Sequence, residues 1–210
     1  IQCDLVDAEA DLSGYRLVVL PNGTKVDDAL KTKLDGFVAA GGALIFSGTA
    51  ALADDGHPFV LADAPVHYVE PAPTTPSYLR PSGIDAAGSE LAADYDYAFY
   101  GQAHVVTPLD GAKAYGDLRR AYFNRTWETF MGHQHAPVER SLEAPIAVRK
   151  GKVLYLAAPL FTGYKKWDYW AYRALLDSLL VDLLPQRLLY PQGSGWVEYT
   201  LHTQPATAAH

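Results

Sequence analysis

The sequence predicts an α/β domain of the doubly wound type, with a mostly parallel central sheet covered by helices, and three observations predict it. Residues 15–48 place an apolar run, an amphipathic repeat and a second apolar run in immediate succession. A further short apolar run, Val153 to Ala157, stands late in the chain, and a long helical repeat follows it. A strand, a crossover helix and a second strand make a βαβ unit, which is parallel and right-handed almost without exception.

The elements can be justified in order. Ile1 to Val6 reads as an opening strand running into Asp7-Ala8-Glu9-Ala10-Asp11, with Cys3 on it as a buried, inert thiol. Arg16 to Leu20, closed by Pro21-Asn22-Gly23, is expected as a strand buried on both faces. Val26, Leu30, Leu34, Phe37 and Val38 recur at helical spacing, with Asp27, Lys31 and Asp35 on the opposite face. Thr24 is the expected N-cap and Gly41-Gly42 the expected stop. Ala43 to Phe46 is the next buried strand. From about Gly56 to Glu143 prolines interrupt the chain, and only Val66–Val69 and Ser77–Arg80 read as short strands. Ile146–Arg149 and Val153–Ala157 form a hairpin about Lys150-Gly151. One helix is expected from Trp167 to Leu184, with Trp170, Ala174, Leu175, Leu179 and Leu183 inward and Pro185 ending it. Trp196 to His202 alternates with period two, as a half-buried antiparallel strand does.

Composition narrows the function. The 210 residues suffice for one full core, and a net charge of -7 argues against nucleic-acid and anionic-membrane surfaces. No apolar run reaches transmembrane length and no signal peptide is read. A single cysteine excludes an intrachain disulfide and suits a reducing compartment, so a cytoplasmic location is expected. Both ends read as cut, as if the chain were the middle of a larger protein.

Three segments carry candidate chemistry. The turn Phe46-Ser47-Gly48-Thr49-Ala50 stands where doubly wound hydrolases keep a nucleophile, yet it lacks the glycines two residues to either side that an elbow needs. Its hydroxyls are expected to satisfy the start of a short helix instead. The segment Tyr122 to Pro137, YFNRTWETFMGHQHAP, gathers Arg125, Trp127, Glu128, His133, Gln134 and His135. His133 and His135 share one side of an extended backbone. A metal site there would need His104 or Glu139 as a third ligand, and no metal or cofactor is expected. The same residue types line sugar sites, where indole faces stack on pyranose rings and charged groups bond hydroxyls; the plain alternative is a loop pinned by its own bonds. Tyr164 to Trp170 could also stack a sugar, but reads first as the opening turn of a helix, with Asp168 at its positive end.

DLSGYRLVVLP followed by a helix and LDGFVAAGGALIFSG resembles the β-galactosidase trimerisation domain, a class I glutamine-amidotransferase-like domain of family 42 β-galactosidases and related glycosidases. GKVLYLAAPLFTGYKKWDYWAYRALLDSLLVDLLP resembles the end of that domain, and WVEYTLHTQP its exit into a β-sandwich. YFNRTWETFMGHQHAP is more similar to the α-L-fucosidase group. The resemblance implies a flavodoxin-like, three-layer fold over residues 1–185, with an irregular aromatic-rich insertion at about 56–143. Residues 186–210 would then be an exit segment and the first strand of a following β domain. It implies no catalytic residue here, since that family's carboxylates lie in an upstream barrel. Its expected partners are that barrel, neighbouring subunits of a homo-oligomer (a trimer in the family), and the parent enzyme's carbohydrate substrate. Arg125, Trp127, Glu128, His133 and His135 would lie near a neighbouring subunit's sugar pocket. The rival readings are a free-standing sugar-processing enzyme of amidotransferase-like fold and a carbohydrate-binding module.

Overall fold

The expected strand–helix–strand unit is present as β1 (Leu17–Leu20), α1 (Asp28–Ala39) and β2 (Ala43–Ser47). The structure is a computed structural model that describes residues 3–84 and 91–184. Asp27, not Thr24, caps α1, its carboxylate accepting from the Leu30 N–H at 2.8 Å. The Thr24 hydroxyl instead donates to the Pro21 carbonyl at 2.8 Å, within the loop before the helix. Lys31 and Asp35 pair at 2.5 Å on the outer face. The helix ends in a Schellman motif. Gly41 N–H donates to the Val38 carbonyl and Gly42 N–H to that of Phe37, with Gly41 at φ +96°.

β1 and β2 are parallel, with Leu17 opposite Ala43, and β2 is parallel in turn to β11 (Val153–Leu156). The next neighbours, β10 (Ala147–Lys150) and β7 (Lys113–Tyr115), run antiparallel, giving the order β1-β2-β11-β10-β7. The sheet is therefore mixed. Only β10 runs against the other four strands: the tight turn through Gly151 at φ +56° reverses the chain between β10 and β11, and β7, antiparallel to β10, points the same way as β1, β2 and β11. β2 and β11 are buried throughout, whereas β1 is an edge strand and only half-buried before Leu20.

Alternation sorts the two faces. Leu44, Phe46, Val153 and Tyr155 share a core with Leu34 of α1. Ala43, Ile45, Leu154 and Leu156 share the other with α3 (Trp170–Leu180). This opposite pointing of neighbours is the strand period at work.

The opening strand is not seen. Residues 3–6 carry no strand, Leu5 and Val6 are exposed, and so is the Cys3 thiol. Asp4 accepts from the Tyr15 hydroxyl at 3.0 Å and Asp7 caps a turn at Glu9 and Ala10, so side-chain bonds, not a ladder, fix this stretch.

The proline-rich middle is more regular than its sequence suggests. It holds β3 (Val66–Pro71) paired with β6 (His104–Pro108). It also holds an antiparallel sheet of order β5-β4-β8-β9, built from Tyr97–Phe99, Ser77–Arg80, Asp117–Ala121 and Val138–Ala144. The single late helix is two. α2 (Leu160–Trp167) stops where Asp168, at φ +46°, donates its N–H to the Tyr164 carbonyl, and α3 then begins at Trp170. Asp168 thus sits at the negative end of α2, and Lys165 and Lys166 in the last turn suit that end. Trp170 is 40% exposed, but Leu175, Leu179 and Leu183 are buried as expected. The expected stop at Pro185 and strand at Trp196–His202 lie outside the described residues. Among the described residues no helix is long and apolar enough to cross a membrane.

Candidate functional site

Open α/β sheets bind ligands beyond the carboxyl ends of their parallel strands. Here hydrogen bonds tie the loops at that end to one another. Asn22, after β1, accepts through Oδ1 from the Thr49 N–H at 3.0 Å and stands 3.4 Å from its Oγ1. The Gly48 N–H donates to the Leu156 carbonyl at 3.0 Å, and the Tyr155 hydroxyl donates to the Gly48 carbonyl at 2.9 Å. A Cβ on Gly48 would lie 2.1 Å from Asn22 Oδ1 and 3.1 Å from Pro159. Ser47 is 2% exposed, too enclosed to meet a substrate, and a turn follows it. The expected role of these hydroxyls at a helix start is thereby corrected: no helix begins there, and Asn22 organises the turn. Burial raises the Tyr155 phenol far above its ordinary range.

A second depression, lined by Tyr15, Arg16, Gly41, Gly42 and Lys152, lies at the amino ends of the same strands, opposite the usual ligand side.

The segment 122–137 leaves β8 and returns to β9 as a loop tied down along its base. Tyr122 N–H donates to the Pro137 carbonyl at 3.2 Å. Asn124 accepts from Thr75 N–H and donates to the Pro73 carbonyl, each at 2.8 Å. Tyr78, on β4, donates its hydroxyl to the carbonyl of buried Ala136. Arg125 Nη1 reaches the Gln134 carbonyl at 3.2 Å, closing the loop on itself. At the tip, Thr126 N–H donates to the Thr129 carbonyl at 2.9 Å and Thr129 N–H to Thr126 Oγ1 at 3.1 Å.

This frame divides the candidates into two groups. Trp127 (87% exposed), Glu128 and Phe130 (70% exposed) project from the tip. His133 and His135 line one shallow depression of about 420 Å3 with Tyr78, Met131, Gln134 and Pro137. His135 is half-buried between Tyr78 and Tyr100, ring centroids 5.9 and 5.4 Å away, and its Nδ1 lies 3.4 Å from the Tyr100 hydroxyl. Arg125, exposed like the tip residues, also bonds the loop backbone through Nη1. The sequence pattern does not single out Tyr78 or Tyr100 for the site; Tyr78 lies on the short strand expected at Ser77–Arg80.

The third ligands a metal would need are engaged elsewhere. His104 is 4% exposed, its Nδ1 3.3 Å from the Tyr68 hydroxyl, and burial pushes its pKa down to about 4. Glu139 pairs with Arg120 at 2.8 Å. Among the described residues no group of three or more His, Cys, Asp or Glu stands together as a metal centre.

The described residues thus define a mixed α/β domain whose loops at the carboxyl strand ends are bonded through Asn22 and Tyr155 and whose polar and aromatic candidates sit on a side loop. Residues 1–70 match the family described as the β-galactosidase trimerisation domain. The chain is 28% identical to the α-L-fucosidase isoenzyme 2 from Paenibacillus thiaminolyticus, with a TM-score of 0.77, covering 86% of this chain and 27% of that one. A β-galactosidase from Rahnella sp. R3 matches at 18% identity and a TM-score of 0.59, over 89% of this chain and 25% of that one. A family 42 β-galactosidase from G. stearothermophilus matches at 17% and 0.53, over 87% and 24%. The two β-galactosidases share the fold alone. The resemblance read from the sequence therefore holds, and this chain spans about a quarter of the length of those enzymes. Comparison with curated proteins finds no match.

Proposed function

We infer that this chain is a non-catalytic accessory domain of a glycoside hydrolase of β-galactosidase or α-L-fucosidase type. It holds subunits together and completes a neighbouring subunit's sugar-binding site. The observation that carries this is the loop 122–137, whose base is pinned while Trp127 and Phe130 are held out in water. Exposed bulky aromatics on a fixed backbone are the composition of interface anchors, because their burial gains area at little entropic cost. The trimerisation-domain match and the fucosidase likeness support the assembly role. The enclosure of Ser47 and the bond from Thr49 to Asn22 support the absence of chemistry in this domain.

On this reading residues 1–185 form the accessory domain, 56–143 is its insertion, and 186–210 leads to a following β domain. Helices on both faces of the parallel β1, β2 and β11 support a flavodoxin-like, three-layer plan. The partners are the protein's own catalytic barrel, neighbouring subunits in a homo-oligomer such as a trimer, and the parent enzyme's carbohydrate substrate. The acidic balance supports the exclusion of nucleic acid and anionic membranes, and the single cysteine supports a cytoplasmic location. Arg125, Trp127, Glu128, His133 and His135 form the wall presented to the neighbouring pocket. Alanine substitution of His133 and His135 in the full-length enzyme is expected to raise KM or lower kcat, and unchanged kinetics would overturn the site-completing role.

A further inference from the structure

The geometry points to the outer edge of β1 as a docking seam that takes an apolar strand from the protein's own polypeptide outside residues 1–210. This inference rests on the accessory-domain reading above and names the place where the domain joins the rest of the enzyme. The seam can be read from the register. Leu17 stands opposite Ala43, and the Ala43 N–H donates to the Arg16 carbonyl at 3.0 Å. In such a parallel ladder Val18 and Leu20 turn their backbone groups to β2, while Leu17 and Val19 turn theirs away from the sheet. Among the described residues nothing bonds those outward N–H and C=O groups. The side chains are also incompletely covered. Leu17 and Val19 pack on the α3 side and Val18 on the α1 side, and all three are only half-buried.

The two edges of the sheet are built differently. Edges that face water are blunted by short strands and by charge, above all lysine. β7 fits that pattern: it is three residues long and carries exposed Lys113. β1 reads Leu-Val-Val-Leu, with neither charge nor proline in its four residues. The uncovered apolar surface continues beside it. The Tyr15 hydroxyl donates to Asp4 at 3.0 Å and so holds segment 3–6 near the start of β1, and in that segment Leu5 and Val6 are exposed. The unmet groups are main-chain donors and acceptors at strand spacing, which an added strand satisfies. That strand must be apolar on both faces, as β2 is, because β1 has incompletely covered side chains on both. This chain spans 27% of the α-L-fucosidase it resembles. On the accessory-domain reading the remaining polypeptide is thus tethered to the seam and supplies the strand at high effective concentration.

The test is amide hydrogen exchange at single-residue resolution in the full-length enzyme, comparing Leu17 and Val19 with Val18 and Leu20. All four amides are expected to be protected, Leu17 and Val19 by at least about 100-fold over an unstructured chain. In the 210-residue chain alone, Val18 and Leu20 should stay protected while Leu17 and Val19 exchange freely. Free exchange of Leu17 and Val19 in the full-length enzyme would overturn the seam. Their protection in the 210-residue chain would also overturn it, since Ile1–Val6 or a second copy would then be the cover. So would protection in the full-length enzyme that disappears on dilution to single chains. Failure of the accessory-domain reading is separate, because it would appear as unchanged kinetics of the His133 and His135 variants, which the exchange of β1 does not report.

Discussion

Asn22 and Thr49 stand 27 positions apart and meet through one hydrogen bond, the Thr49 N–H donating to Asn22 Oδ1 at 3.0 Å. That bond ties the loop after β1 to the turn after β2, across the place where an enzyme of this topology would hold its ligand. One side chain therefore joins the two loops.

Gly48→Ala is the direct probe of this contact. Gly48 has φ +59°, and a Cβ there would meet Asn22 Oδ1 at 2.1 Å. We expect a loss of about 1–3 kcal/mol from the left-handed backbone and the displaced amide. Asn22→Ala should cost about 1 kcal/mol, the usual net value of one such bond. Urea unfolding should show lowered midpoints with unchanged slopes.

His104 makes stability depend on pH. Its folded pKa, held near 4 by burial, lies below the unfolded value of about 6.5. Between those values the unfolded chain binds the extra proton, so stability falls as pH falls. The contribution is fully present above about pH 6.5, is lost as pH drops through about 4, and amounts to roughly 2–4 kcal/mol. His104→Gln should flatten this part of the stability profile measured by denaturant titration. A profile as steep as wild type between pH 6.5 and 4 would contradict it.

Tyr78→Phe removes the hydroxyl that holds the Ala136 carbonyl. Global stability should fall by about 0.5–1.5 kcal/mol. The sharper readout is local: amide exchange in residues 131–137 should speed up more than in β2 or β11. Uniform change across the chain would show that the loop is not anchored there.

Much of the scaffold was legible because local rules and the global fold agree in it. Leu34 and Phe37 point inward with the helical period, and β2 and β11 are apolar runs buried on both faces. Legibility failed where tertiary context decides. β5 and β7 are three-residue strands, too short for a period to show among the prolines. Tyr164 to Trp170 carries one continuous helical pattern, yet Asp168 breaks it with a left-handed turn. The candidate loop was legible as chemistry from its Arg, Trp and His residues. Its support was not, since Tyr78, Tyr100 and Trp167 reach it through packing between distant segments.

Trp127→Ala in this chain alone should change stability by less than about 0.5 kcal/mol, because the side chain is 87% exposed and only water loses a neighbour. The same residue should matter greatly in the assembled enzyme.

The most direct test of the assembly role is the light-scattering mass of the full-length enzyme carrying Trp127→Glu and Phe130→Glu. Two carboxylates at the loop tip would place unpaired charge in a desolvated contact. The account predicts a fall from the oligomer's mass to that of a single chain, with the domain still folded. An oligomer of undiminished mass at the same protein concentration would contradict it.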